Sequence, residues 1–328
     1  MRSIYLTILV YLISKSSYAG DPFDASIPLD RPMKIAITID DLPSHNELPK
    51  DQSRLDIAQK ILTAFHDEKF GIPEVYGFVN GEVLNQHPED LEVLKIWIKA
   101  GYPLGNHTFT HMDLHKASAD QFIADIEKTD KLLAEVTQGT PFFDRRFFFR
   151  YPFLNEGNTL QKRDAVRSYF EKTGYRIAYT TVDYFDWAFN DAYLRCVAKN
   201  KTQAIETLKK NTVDAARRQL RRSQLVAKKV FGQDIPHILL VHIGAFDSIM
   251  LPEVLNAYKN DGVEFIKLED ALNFKLNDTN KTQVYSLNPN IAFRDGYSFL
   301  DQMAEARKID VPGDDPKYPL GGFDKICK

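Results

Sequence analysis

Apolar and polar positions along this chain fall into blocks of two different periods. "MKIAITI", Met33 to Ile39, is short, apolar and β-branched, which predicts a strand buried on both faces, and it stops at Asp40-Asp41-Leu42-Pro43. From Arg54 to Phe70 the spacing turns helical, with Leu55, Ala58, Ile61, Leu62 and Phe65 on one side. "PEVYGFVN" predicts a second strand, "DLEVLKIWIKA" a helix ending at Gly101, and "YPLGNHT" a third strand. A helix over Ala119 to Val136, strand "RFFFRYPF", a helix over Thr159 to Lys172, and strands "RIAYTT", "HILLVH" and "VEFIKL" continue the series. Strand–helix alternation of this length predicts an α/β fold whose parallel sheet closes into a barrel.

Two segments break the rhythm. Residues 199 to 230 read as one long helical stretch with ten Lys or Arg against only Glu206 and Asp214, and Lys210, Arg217, Arg221 and Lys228 line one side of it. This predicts a helical insertion over about 191–234 with a solvated basic face, or, more sharply, a surface that attracts an acidic polymer. Beyond Ala271 the chain turns polar and irregular, which predicts an extension over 271–328 wrapped on a core of about 33–270, all within one domain, 20–328.

Composition narrows the setting. With 328 residues and 44% hydrophobic side chains the chain buries a full core. Residues 1–19 have the layout of a secretory signal peptide: Arg2, an apolar run from Ile4 to Ile13, then Ser17-Tyr18-Ala19 before Gly20. The run is about half of the roughly 20 residues a bilayer span requires, so the expectation is an exported protein, periplasmic or secreted, with no transmembrane segment after cleavage. Loss of Arg2 and Lys15 with the leader takes the formal charge from −3 to −5, which argues against nucleic acid as a partner. The two cysteines, Cys196 and Cys327, fit either one disulfide in an oxidising compartment or two separate buried thiols.

Chemistry collects where strands end, the rim that carries function in a parallel α/β barrel. Asp40 and Asp41 follow the first strand; His107 and His111 follow the third; Arg150 sits in "FFFRYPF"; Asp183, Asp186 and Trp187 follow "IAYTT"; His242 ends "ILLV". Adjacent aspartates also serve as turns or caps, an Arg among phenylalanines can pair with any core carboxylate, and a lone His is often a satisfied core residue. Taken together, one acid and two histidines make three ligands, the number that leaves a divalent metal with open positions. His-x3-His on a helical turn puts both imidazoles on one face, and His115, a turn further on, is expected to face solvent or support the ligands rather than close the site.

The order of the motifs resembles the polysaccharide deacetylases with nodulation-protein-B homology, carbohydrate esterase family four. The matching stretches are "TIDD" (Thr38–Asp41), "HTFTH" (His107–His111), "RYPF" (Arg150–Phe153), "DYFDW" (Asp183–Trp187) and "LLVH" (Leu239–His242). The resemblance implies a distorted (β/α)7 barrel, a divalent metal usually taken to be zinc, with cobalt, nickel or manganese as alternatives, and removal of acetyl groups from N-acetylglucosamine units of a glycan. It implies Asp41, His107 and His111 as metal ligands, and Asp40 as the base that takes a proton from the attacking water. It further implies His242 as the acid held by Asp186, Arg150 as the partner that keeps the pKa of Asp40 low, and the Phe153 N–H as an oxyanion donor. Tyr151, Trp187 and Leu239 would shape the acetyl pocket and sugar wall. Ile243-Gly244-Ala245 stand where the family often has an acid. Peptidoglycan is the expected substrate, because a basic flank suits an anionic cell-wall glycan. Chitin-type chains, other acetylated glycans, or a silent carbohydrate- or zinc-binding protein of the same fold are the competing readings.

Overall fold

The computed structural model describes residues 20–29, 33–289, 296 and 298–328, so the expected signal peptide lies outside the described residues. In chain order the elements are β1 (Met33–Leu42), α1 (Arg54–Phe65), β2 (Val75–Val79), α2 (Leu91–Lys99), β3 (Leu104–Asn106), α3 (Ala119–Thr137), β4 (Phe148–Phe149), α4 (Leu160–Thr173) and β5 (Arg176–Ile177). They continue with β6 (Val182–Asp183), α5 (Asp186–Ala198), α6 (Thr202–Phe231), β7 (His237–His242), α7 (Asp247–Asn260), β8 (Val263–Ile266), α8 (Leu268–Leu272), α9 (Phe299–Ala306) and α10 (Leu320–Phe323). Helix starts follow their caps: Ser53 with Asp56 and Ser118 with Gln121 form capping boxes, and Gly174, at φ 81°, ends α4. The first helix stops at Phe65, five residues short of the expected Phe70, and Phe70 packs in the core from the loop.

All ladders are parallel, in the order β5-β4-β3-β2-β1-β7-β6, and β8 adds to the first half of β1. The sheet curls, with β5 and β6 at the two ends of the path and residues 178–181 running between them. β1 is the axis. Its ten residues pair with β2, β7 and β8, so it is buried on both faces as its continuous apolar run requires. Period-2 alternation puts Ile35, Ile37 and Ile39 into the packing beneath the outer helices. Ala36 on the other face joins Tyr76, Phe78, Ile238 and apolar residues of α8 and α9 inside the curl. Above that plug the inner positions become polar, beginning with Thr38 and Asp40.

Residues 191–234, expected as an insertion, fall in the crossover that parallel β6 and β7 require, with α5 and α6 packed against each other. The solvated basic face is overturned. Arg218, Arg221 and Arg222 are buried: Arg218 pairs with Asp315 and Asp21, Arg217 and Arg221 share Asp261, and Arg222 holds Asp301 and the carbonyls of Pro312 and Gly313. A helix so covered needs each guanidinium paired, and the C-terminal segment supplies the carboxylates and carbonyls. Cys196 of α5 and Cys327 are disulfide-bonded. No described helix is long and apolar enough to cross a membrane.

Candidate active site

Strand alternation alone would send Asp40 and Asp41 to opposite faces of the sheet. Asp41 instead adopts φ 67°, a left-handed conformation costly for a non-glycine residue, and both carboxylates line one cleft of about 930 Å³. The histidine motif departs from its expected geometry too. His107 follows β3 and His111 lies in an irregular loop at φ 53°, not on a helical turn. The loop is pinned by Thr110, which donates twice to Asp125, and by the Met112 N–H, which donates to Thr108 Oγ1.

This bending brings His107 Nε2 and His111 Nε2 each to 3.5 Å from Asp41 Oδ1. His107 Nδ1–H donates to the Arg150 carbonyl at 2.8 Å, which leaves Nε2 as the lone-pair nitrogen. Burial drives both imidazoles down to a pKa of about 4, so they are neutral at neutral pH. Burial works to raise Asp41, yet His111 and His45 hold it well below the usual carboxylate range. Its Oδ1 is buried without a hydrogen-bond partner. An orphaned anionic oxygen between two neutral imidazoles is a donor set that fits a divalent cation.

Asp40 is 2% exposed and receives Arg150 NH1 at 3.2 Å, while Arg150 is itself fixed by Thr38 Oγ1 and the Ala178 carbonyl. The expected pairing is present, but burial outweighs it: the pKa of Asp40 is pushed up to about 6, with Arg150 pulling the other way. On the neighbouring strand His242 donates through Nδ1 to Asp186 Oδ1 at 2.8 Å, and its amide donates to Asp186 Oδ2. Burial opposes the imidazolium, but the Asp186 carboxylate prevails and raises His242 to about 10. Gly244 leaves room for this corner, since a Cβ there would stand 2.3 Å from Asp247 Oδ2.

The remaining expected residues divide. Phe153 is half exposed at φ 57°, its ring 4.4 Å from that of His111, and Trp187 lines the cleft. Tyr151 reaches the cleft but its ring is buried against Phe122, Phe149 and Phe170. Leu239 is a correction: it lies in the core, and Leu240 lines the cleft, because residues two apart on a strand share a face and His242 faces the cleft. His115 is half-buried and stands outside both groups of potential ligands.

Two acids and an imidazole were passed over. Asp183 lines the cleft and is raised to about 7, first by burial and then by Asp186. Asp301, which Arg222 holds, brings the C-terminal segment to the rim. His45 donates through its Nδ1 to Asp41 Oδ2 at 2.6 Å, and its signal was a histidine four residues after Asp41 across a proline turn.

Residues 30–178 match the family model described as polysaccharide deacetylase. That segment is a polysaccharide deacetylase domain. It carries Asp40, Asp41, His107, His111 and Arg150, while Asp186 and His242 lie beyond the matched residues. A chitin deacetylase of Arthroderma benhamiae is 29% identical over 92 residues, 28% of this chain and 24% of that protein, so the match spans about a quarter of the relative. Among solved structures, a family 4 carbohydrate esterase from Streptomyces lividans in complex with acetate is 19% identical over 73% of this chain and 95% of that one, with a TM-score of 0.45. A peptidoglycan deacetylase mutant from Bacillus subtilis is 20% identical over 74% and 93%, TM-score 0.47. A pseudoenzyme from Bacillus anthracis assigned to the same esterase family is 16% identical over 74% and 66%, TM-score 0.49. At this distance the chemistry of the deacetylase domain rests on its own residues.

Proposed function

We propose that this chain is a metal-dependent hydrolase that removes acetyl groups from N-acetylglucosamine units of a polysaccharide. The observation that carries the reading is the orphaned Asp41 Oδ1 between two neutral imidazoles, in a cleft that also holds a second carboxylate and a second, charged imidazole. A divalent cation held by Asp41, His107 and His111, with zinc ahead of cobalt, nickel or manganese, supplies Lewis acidity and makes water nucleophilic near neutral pH. Asp40, a base above pH about 6, accepts a proton from the attacking water. His242, protonated and oriented by Asp186, donates a proton to the departing amine, and the Phe153 N–H is placed to receive developing oxyanion charge. A silent binding protein needs neither the second carboxylate nor the Asp186–His242 pair.

Peptidoglycan as substrate loses its support, since the arginines that suggested it are engaged within the fold. Exposed Glu305 and Asp314 line the cleft and would repel the carboxylates of peptide stems. A neutral chitin-type chain is the substrate we propose, a choice that the activity named for the Arthroderma protein also favours. Export belongs to the same reading, supported by the layout of residues 1–19 and the Cys196–Cys327 disulfide.

Acetate release from chitin oligomers and from peptidoglycan, measured with and without a chelator, tests this. The expected result is release from the chitin-type chain, lost on chelation and restored by zinc, with Asp40→Asn lowering turnover by roughly 100-fold or more at unchanged metal content. Glycan binding without acetate release under every metal would establish the silent alternative, and preferential release from peptidoglycan would return the substrate to the cell wall.

A further inference from the structure

The reading of Asp41, His107 and His111 as a cation site leaves His45 without a role, although His45 makes the shortest hydrogen bond to that aspartate. The turn after β1, closed by the Ser44 N–H on the Asp41 carbonyl at 2.7 Å and by the His45 N–H on the Ile243 carbonyl, folds the ring back over Asp41. There it packs 4.6 Å from the His242 ring, centroid to centroid. Asp41, His45 and His242 also cluster closely enough to be a second set of metal ligands, so the role of His45 depends on which nitrogen bears the proton.

The neighbours decide that. Asn46 Nδ2 lies 2.6 Å from Asp191 Oδ1, and a carboxylate only accepts, so the amide nitrogen must face Asp191. The same nitrogen approaches His45 Nε2 at 3.1 Å, which makes Nε2 the acceptor and puts the ring proton on Nδ1. Nδ1–H then donates to Asp41 Oδ2 and has no lone pair to offer a cation. The other carboxylate oxygen, Oδ1, is the one that faces His107 and His111. Asp191 lies on α5, whose first residue, Asp186, orients His242, so one helix reaches both halves of the site.

Building on that reading of the cation site, we propose that His45 is a positioning residue: aimed by Asn46 and Asp191, it clamps one oxygen of Asp41 so that the other is presented to the metal. Partners that hold a ligating carboxylate from behind are worth about 10–100-fold in metal affinity.

Zinc affinity measured by competition with a chromophoric chelator, with stoichiometry by elemental analysis, tests the proposal on the full chain without substrate. His45→Ala is expected to bind zinc about 10–100-fold more weakly. His45→Asn, which keeps an amide N–H near the position of Nδ1, is expected to recover most of that loss, a rescue that a purely packing role would not produce. Asn46→Ala, at an exposed position, should give a smaller loss in the same direction and serves as the measurement if His45→Ala does not fold. Unchanged affinity in His45→Ala, or in Asn46→Ala where that stands in, overturns the proposal. So does a wild type that takes two ions where His45→Ala takes one, because His45 would then be a ligand. A wild type that binds zinc but releases no acetate leaves the clamp standing and removes the hydrolase reading, whereas one that binds no zinc removes both.

Discussion

At the residue scale the site is built from backbone conformations that side chains seldom adopt. Asp41, Thr108, His111, Phe153 and Phe185 all have positive φ, and each stands at or just beyond a strand end around the cleft. Such residues cost of order 1–3 kcal/mol apiece and persist where surrounding contacts hold them, as Asp125 holds the histidine loop. Electrostatics is specific at the same scale. His242 is raised to about 10, so the fold favours its imidazolium; that stability is fully present below the unfolded value of about 6.5 and is lost as pH rises through about 10. In metal-free protein, NMR should therefore show the His242 ring protonated through neutral pH. In Asp186→Asn burial is left unopposed, and the ring should titrate below about 6.5. A ring that still titrates near 10 in that variant would refute the assigned cause.

At the element scale, α6 shows why a charged run is a poor guide to a surface. Its arginines occur in adjacent pairs, 217–218 and 221–222, and a helix turns about 100° per residue, so each pair addresses two neighbouring elements. Arg217 and Arg221 go to Asp261 after α7, while Arg218 and Arg222 go to Asp315 and Asp301 in the C-terminal segment. Asp261→Ala removes the shared partner and leaves Arg221 buried without its carboxylate, an expected loss of about 3 kcal/mol in urea denaturation after discounting for the half-exposed Arg217. A loss under about 0.5 kcal/mol would show that solvent replaces the pair. The strands were legible because continuous apolar runs suit a sheet covered on both faces. β4 and β5 contract to two residues each, because register with their neighbours, not propensity, decides where a ladder ends.

At the scale of the molecule, the C-terminal segment is both plug and rim. Phe299, Leu300 and Met303 fill the inside of the curl beneath the polar layer, and Glu305 and Asp314 line the cleft above. The disulfide ties this segment to α5 across 131 residues of sequence. Replacing both cysteines by serine should lower stability by roughly 2–5 kcal/mol, read as a shifted urea midpoint. Because α5 carries Asp186 and Asp191, the same variant should weaken zinc binding before the chain unfolds, and affinity unchanged up to the global transition would uncouple the helix from the site.

What the sequence determined by itself was the alternation of strands and helices, the strand ends at which polar groups gather, and the set Asp40, Asp41, His107, His111, Arg150, Asp186 and His242. These follow from local period and from residue chemistry. Tertiary structure alone decided that Asp41 turns to the same side as Asp40, that Leu240 and not Leu239 meets the cleft, that His45 returns over Asp41, and that the arginines of α6 are internal. Each of those depends on a backbone torsion, a strand register or a distant carboxylate, and none of the three leaves a periodic trace in the chain.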